Sequence, residues 1–377
     1  MKIGLITTQD PNNPRTWSGT NYFISRSLSK HVGSVVPIGP VEPSSLWVKR
    51  AENRLRKILK AHNIVPGQSY RVARDNAKII EQRLKRENLD VLVAPAGSAL
   101  IAFLESTLPI IYTSDATAEL MIDYYPQFLN LSAKSKNEVN ELEASSISRA
   151  DAIIYPSRWA ANSALQQYGA DERKVHIVPF GANLMIEPER EPVLSAKSKN
   201  GLHLLFVGVD WQRKGGEKAI AILNTLVKRG FDAHLTIIGC VPPGHFDPER
   251  VTVYPFLDKT ERNQERMLSE LYRQSHFMIL PTVNECFGIV FCEAAAHGVI
   301  SLASNTGGVS SAVRDGVSGF LFSEDADVKQ YADRICNLAS NSESMRKLQE
   351  TARDEFEENL NWDAWGERVD KIATSLL

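Results

Sequence analysis

The sequence predicts an α/β fold of two parallel-sheet domains. Two observations carry this. Short β-branched runs alternate with amphipathic stretches, which is the pattern of a parallel sheet covered by helices. The alternation halts at residues 183–200 and then restarts. A length of 377 residues agrees, because such a chain exceeds one comfortable hydrophobic core and suits two.

In the first half, strands are expected at residues 2–7, 34–38, 90–94, 109–113, 152–155 and 175–178, with helices at 22–31 and 71–86. Residues 1–182 form the first expected domain. Residues 183–200, NLMIEPEREPVLSAKSKN, hold two prolines and many charges without an apolar period, so they read as a linker. Residues 201–361 form the second domain, with strands at 202–207, 233–238, 251–254, 277–280, 299–303 and 319–322. Its helices are expected at 217–229, 265–273, 288–297 and 328–339. A last helix is marked by Trp365, Val369, Ile372 and Leu376 at spacings of three to four. Open α/β sheets bind ligands beyond the carboxyl ends of their strands, so the cleft between two such domains is the expected site.

Composition narrows the function. Charged residues are 23% and hydrophobic residues 43%, as in an ordinary globular protein. Lys and Arg number 43 against 45 Asp and Glu, a net charge of −2, which argues against a general nucleic-acid binder. Cys240, Cys286, Cys292 and Cys336 show no CxxC spacing, so reduced thiols and a cytoplasmic location are expected. No apolar run approaches the ~20 residues that span a bilayer, and the opening MKIGLITTQD lacks the apolar core of a signal peptide.

No phosphate loop GxxxxGK[ST], no GxGxxG after a strand, no HExxH and no GxSxG is present. No metal is expected. Asp325 and Asp327 form a DxD pair of the kind that holds a divalent ion, but it opens a helix, where capping is the better reading.

Chemistry concentrates in LPTVNECFGIVFCEAAAHGVISLASN, residues 280–305. Glu285 and Glu293 stand eight apart, which is ~12 Å if fully helical. Each carboxylate can accept from a vicinal diol. Between them Phe287, Gly288, Ile289 and Val290 form an expected first helical turn, whose free N–H groups suit a diphosphate. Two glutamates alone are usually solvated, but this segment is apolar, and a charge inside it needs a partner. The loop after the 202–207 strand carries Gly208, Asp210, Arg213 and Lys214, and its cations suit a leaving diphosphate or form a solvated turn. A third loop, Asn305 to Ser310, offers backbone N–H groups at Gly308 or is only a tight turn.

The three stretches FVGVDWQRKGG, LPTVNECFGIVFCEA and NTGGVSSAVRDGVSGFLF resemble the retaining family-4 glycosyltransferases of GT-B fold. So does SRADAIIYPSRWAANSALQQYGADERKVHIVPFGAN before the linker. The resemblance is strongest from Ala150 to Phe322. It implies two Rossmann-like domains facing each other across a cleft, with a closing helix at 362–377 returning to the first. It implies transfer of a hexose from a nucleotide-diphosphate sugar with retention, the nucleotide on the second domain and the acceptor on the first. UDP-glucose is the expected donor by prevalence, and the expected acceptor is a glycan or lipid-linked molecule in polysaccharide or glycolipid synthesis. By the same resemblance Glu293 holds the ribose, Glu285 lies near the donor hexose, and Arg213 or Lys214 with the Gly288–Val290 amides holds the diphosphate. Retention without an evident nucleophile lets the donor's β-phosphate take the acceptor proton, leaving the protein to position and stabilise charge. Two alternatives stay open: a non-catalytic nucleotide-sugar binder, and another enzyme of the fold such as a nucleotide-sugar epimerase.

The chain departs from the family pattern in two places. Val209 follows Gly208 where an arginine is usual, which leaves Arg213 as the second cation. Asp115 follows the 109–113 strand where many members place a histidine; it is either a sugar contact or a helix cap. Gly19 in Trp17-Ser18-Gly19-Thr20 matches the glycine loop that reaches the cleft in the family, or is a plain turn.

From Trp47 to His62 the chain reads WVKRAENRLRKILKAH, with apolar residues at 47, 51, 55, 58 and 59 and the basic residues Lys49, Arg50, Arg54, Arg56, Lys57 and Lys60 on its other faces. This helix suits either an anionic membrane surface or the covering of a sheet with a solvated basic face.

Overall fold

In the computed structural model, which describes residues 1–195, 197 and 201–377, the chain divides into two compact units. The first comprises Met1–Pro179 and Trp362–Leu377, the second Phe180–Asn361.

The first unit holds β1 (Lys2–Leu5), α1 (Thr20–His31), β2 (Ser34–Pro37), α2 (Ser44–Ile58), α3 (Tyr70–Leu84), β3 (Val91–Pro95), α4 (Ser98–Ile101) and β4 (Ile110–Thr113). It continues through α5 (Ala118–Met121), α6 (Ala133–Arg149), β5 (Ala152–Tyr155), α7 (Arg158–Tyr168) and β6 (Val175–Ile177). The sheet order is β2-β1-β3-β4-β5-β6, all neighbours parallel. Strands β3, β4 and β5 are buried along their whole length, as expected of a parallel sheet covered on both faces.

The second unit holds α8 (Arg190–Ser195), β7 (Leu202–Val207), α9 (Gly216–Lys228), β8 (Ala233–Ile238), β9 (Val251–Tyr254), α10 (Arg262–Gln274) and β10 (Phe277–Leu280). It ends with α11 (Ile289–Ala296), β11 (Ile300–Ser304), β12 (Gly319–Phe322), α12 (Val328–Ala339) and α13 (Ser342–Glu358). Its sheet order is β12-β11-β10-β7-β8-β9, again parallel. The order reverses between β7 and β10, and open sheets bind ligands at such a switch point.

After the second unit, α14 (Trp362–Ser375) joins the first. Trp362 stacks on Phe23 with centroids 6.1 Å apart, Ser27 Oγ donates to Trp362 O at 2.6 Å, and Lys30 pairs with Asp363 at 2.6 Å. Gly366 permits the approach, because a Cβ there would lie 2.4 Å from Ser27 Oγ.

The 183–200 stretch differs from the expected irregular linker. It contains α8, anchored by Arg190 to Asp354 and Glu357, each at 2.6 Å, and by buried Val193. Residues 196 and 198–200 of that stretch lie outside the described residues.

Candidate active site

The second unit gathers the chemistry at its switch point. Strands β7, β10 and β11 are adjacent, so the loops that follow them leave neighbouring positions on one sheet edge. Hydrogen bonds tie the three together. Val283 N donates to Arg213 O at 2.8 Å, Thr282 Oγ1 donates to Arg213 O at 3.1 Å, and Thr306 Oγ1 donates to Val283 O at 3.2 Å.

Arg213, Lys214 and Glu285 meet there. Lys214 Nζ donates to Glu285 Oε2, Arg213 Nη1 lies 3.6 Å from the same oxygen, and Arg213 also donates to Asn284 O at 2.9 Å. The Lys214 and Glu285 side chains are only 8% and 9% exposed, and charges that deep persist only when paired. Gly208 is shaped by this contact, since a Cβ there would sit 2.8 Å from Lys214 Cγ. Asp210 fixes the turn through the Arg213 N–H at 3.1 Å and the Lys214 N–H at 3.0 Å.

Glu293, 1% exposed, sits inside α11. Lys259 Nζ donates to its Oε1 and also to Asn183 O at 3.2 Å. Tyr272 donates to Oε2 at 3.0 Å. Burial, reinforced by the Glu293 charge, pushes the Tyr272 hydroxyl well above the usual phenol range, so it stays a donor. One turn further, His297 Nδ1 lies 2.8 Å from Glu293 O, and burial drives its pKa down to about 3. The ring is neutral, so Nδ1–H donates to the carbonyl. Burial also raises the thiol pKa of Cys292.

Between the glutamates, α11 starts one residue later than expected. Gly288 is its N-cap at φ +89, and a Cβ there would lie 2.5 Å from the Phe291 ring. The left-handed conformation forces the turn, so Phe287 precedes the helix. Phe287 is a core side chain instead, edge-on to Phe180 at 5.6 Å. Ile289 and Val290 occupy the first turn. Gly308 caps only a short turn at Val309–Ser311, not a full helix.

Lys259 and Tyr272 were not singled out by sequence. Lys259 sits in a polar loop resembling any solvated turn, and Tyr272 reads as an ordinary apolar position of α10. The position of Glu293 within an apolar segment is the sequence signal that calls for such partners.

In the first unit the order reverses between β1 and β3. The loop after β1 reaches that point with Trp17, Ser18 and Gly19 at φ 45, 55 and 93, and Gly19 caps α1. Two non-glycine residues held left-handed are strained, as at ligand-binding loops. Asp115 is not the N-cap residue of α5. The N-cap of α5 is Thr117, whose hydroxyl is held 2.6 Å from Ser163 Oγ. Asp327, by contrast, caps α12 in a reciprocal box with Gln330, both bonds at 2.9 Å. Among the described residues no group of three or more His, Cys, Asp or Glu could hold a metal ion.

Comparison with known proteins agrees with this architecture. The model of Glycosyltransferase Family 4 matches residues 25–185, and that of Glycosyl transferases group 1 matches residues 189–355. A D-inositol 3-phosphate glycosyltransferase of Segniliparus rotundus is 26% identical over 219 residues, covering 55% of this chain and 48% of the relative. This chain thus spans about half the length of the first curated relatives it matches. Sucrose-phosphate synthase from Thermosynechococcus elongatus shares the fold at TM-score 0.71 and 17% identity, covering 100% of this chain and 99% of that one. Anabaena HepE, solved in complex with UDP, does so at TM-score 0.68 and 14% identity, with full coverage of both chains. The chain belongs to the family-4 glycosyltransferases of the GT-B fold.

Proposed function

We propose that the protein transfers a hexose from a nucleotide-diphosphate sugar to an acceptor with retention of configuration, and that the donor is UDP-glucose. The observation that carries this is the pair of buried, cation-held glutamates flanking the N-terminus of α11 at the switch point of the second sheet. Glu293 is placed to accept from the ribose hydroxyls, with Tyr272 and Lys259 fixing its carboxylate. Arg213, Lys214 and the Ile289 and Val290 amides receive the diphosphate and stabilise the charge that grows on it as the sugar leaves. Glu285 positions the donor sugar and keeps Lys214 aimed. The donor phosphate takes the acceptor proton, so the protein's work is positioning and electrostatics, with no metal. Asp115 and the Gly19 loop contribute on the acceptor side.

HepE, which shares the fold, is solved in complex with UDP and with UDP-glucose, and this supports the donor. The curated relatives are D-inositol 3-phosphate glycosyltransferases, which supports a small phosphorylated polyol as an acceptor class beside glycan and lipid-linked molecules. A thermal-shift screen of nucleotide sugars followed by a transfer assay tests the reading, because a ligand of the native state raises its melting temperature. UDP-glucose should give the largest shift. No response to any nucleotide sugar would reject the donor site, and binding without transfer to any acceptor would favour a non-catalytic binder.

The cytoplasmic face of an anionic membrane is the proposed location. No helix of the described residues is long and apolar enough to cross a bilayer. On α2, Trp47, Leu55 and Ile58 are 61%, 56% and 71% exposed, so this apolar face does not cover the sheet. With Arg50, Arg54 and Lys57 beside it, the face suits the headgroup boundary. Co-sedimentation with anionic vesicles at low salt should capture the protein, and Ile58→Glu should release it. Absence of binding at low salt would end the membrane reading.

A further inference from the structure

The first unit contains a cavity of about 480 Å3 between α2, α3 and the start of α6. It is remote in sequence from the donor cluster, and nothing in the donor reading uses it. Two features set it apart from a surface groove. Ser45 and Ser69 line it, are 2% and 3% exposed, and their hydroxyls have no hydrogen-bond partner. Buried hydroxyls are nearly always paired, and an unpaired one costs stability. Ser69 is the N-cap of α3, yet its side chain makes no capping bond, so it forgoes the partner its position normally supplies.

The second feature is charge. Arg71, Arg74 and Lys78 line the cavity from α3, spaced three and four residues apart so that they share a helix face. Lys134 joins them from the first turn of α6. Arg71, Lys78 and Lys134 have no carboxylate within ion-pair distance among the described residues, whereas Lys49 at the same cavity is held by Glu52 at 2.8 Å. The first turns of α3 and α6 add the partial positive charge of helix N-termini. Asp75 and Glu138 also line the cavity and can accept from hydroxyl groups.

We infer that this cavity binds a phosphate-bearing polyhydroxy group, with Arg71, Lys78 and Lys134 on the phosphate and the Ser45 and Ser69 hydroxyls donating to it. Asp75 and Glu138 accept from the ligand's hydroxyls. Calling that ligand the acceptor rests on the transferase reading; the binding site does not. The shared chemistry comes from either a free sugar phosphate or a phosphoinositide headgroup.

Isothermal titration of the full chain with glucose 6-phosphate and myo-inositol 1-phosphate, beside flotation on phosphatidylinositol vesicles, separates the sources. Saturable binding of a free phosphate, weakened about tenfold or more by Arg71→Gln with Lys134→Gln, supports the site. Capture by the vesicles alone, lost in the same double variant, supports it with a lipid as the source. Ser69→Ala supplies a readout that a structural role would not give: melting of the free protein should hold or rise, while affinity for the phosphate falls. Failure of both probes, or binding that ignores these substitutions, would overturn the site. The UDP-induced thermal shift, measured on the same samples, reports the donor site separately. Its absence would count against the transferase reading and leave the cavity result intact.

Discussion

Glu293 and Glu285 are buried carboxylates with opposite accounts of their partners. Glu285 faces two cations that the proposed chemistry needs elsewhere, so binding of a diphosphate must draw Lys214 and Arg213 partly away from it. Glu293 faces a lysine and a tyrosine, and only Lys259, 31% exposed, has room to move. Glu293→Ala should therefore weaken UDP binding at least tenfold, the scale of losing hydrogen bonds to a charged acceptor; an unchanged dissociation constant would remove the ribose role. Glu285→Ala should lower the transfer rate far more than UDP affinity, and wild-type turnover would reject its place beside the sugar. Away from the site, Glu143 is fully buried under the Tyr112 hydroxyl, at 3.0 Å, and burial lifts its pKa to about 7. A raised carboxyl pKa gives stability that is present below the unfolded value near 4.5 and lost as pH rises through 7. Glu143→Gln should thus match wild type near pH 4 and exceed it at pH 8 by on the order of 3 kcal/mol. Parallel Tm curves for the two proteins across that range would contradict the shift.

Elements show which features the sequence makes legible. All twelve strands of the described residues are expected from the sequence, most within a residue of their ends, because β-branched runs between polar turns are unambiguous in a buried parallel sheet. Helices α6, α7 and α13 were not. In α6 the buried face is Val139, Leu142, Ser146 and Ile147 with Glu143 among them, and in α13 it includes Gln349, Arg353 and Glu355. Polar residues on a buried stripe erase the period that sequence reading depends on. At the site the glutamates, the cation pair and Gly288 were legible as residue types at telling places. Lys259 and Tyr272 were not, because their relation to Glu293 exists only after folding. Gly288 is the element-level test. Gly288→Ala must hold an alanine at φ +89 against the Phe291 ring, costing about 1–3 kcal/mol and turning the α11 amides. Melting and UDP affinity should both fall; wild-type values for both would mean the cap is dispensable.

For the whole molecule, the two units own different ligands under the proposed readings. UDP should slow hydrogen exchange within 180–361, around β7, β10 and α11, and a sugar phosphate should slow it within 1–179, around the starts of α3 and α6. Protection by UDP confined to the first unit would reverse the assignment of the donor.

The path of α14 has a further consequence, for biosynthesis. The first unit begins the chain but is completed by a helix translated after the second unit, whereas Phe180–Asn361 is one continuous segment. On the ribosome the earlier-made unit must wait, with the surface around Phe23, Ser27 and His31 uncovered, until residues 362–375 emerge from the exit tunnel. The later-made unit has all its parts first, inverting the usual amino-to-carboxyl order of maturation. A chain that ends at Asn361 and has been released from the ribosome should therefore present a natively folded second unit behind a first unit that chaperones still recognise.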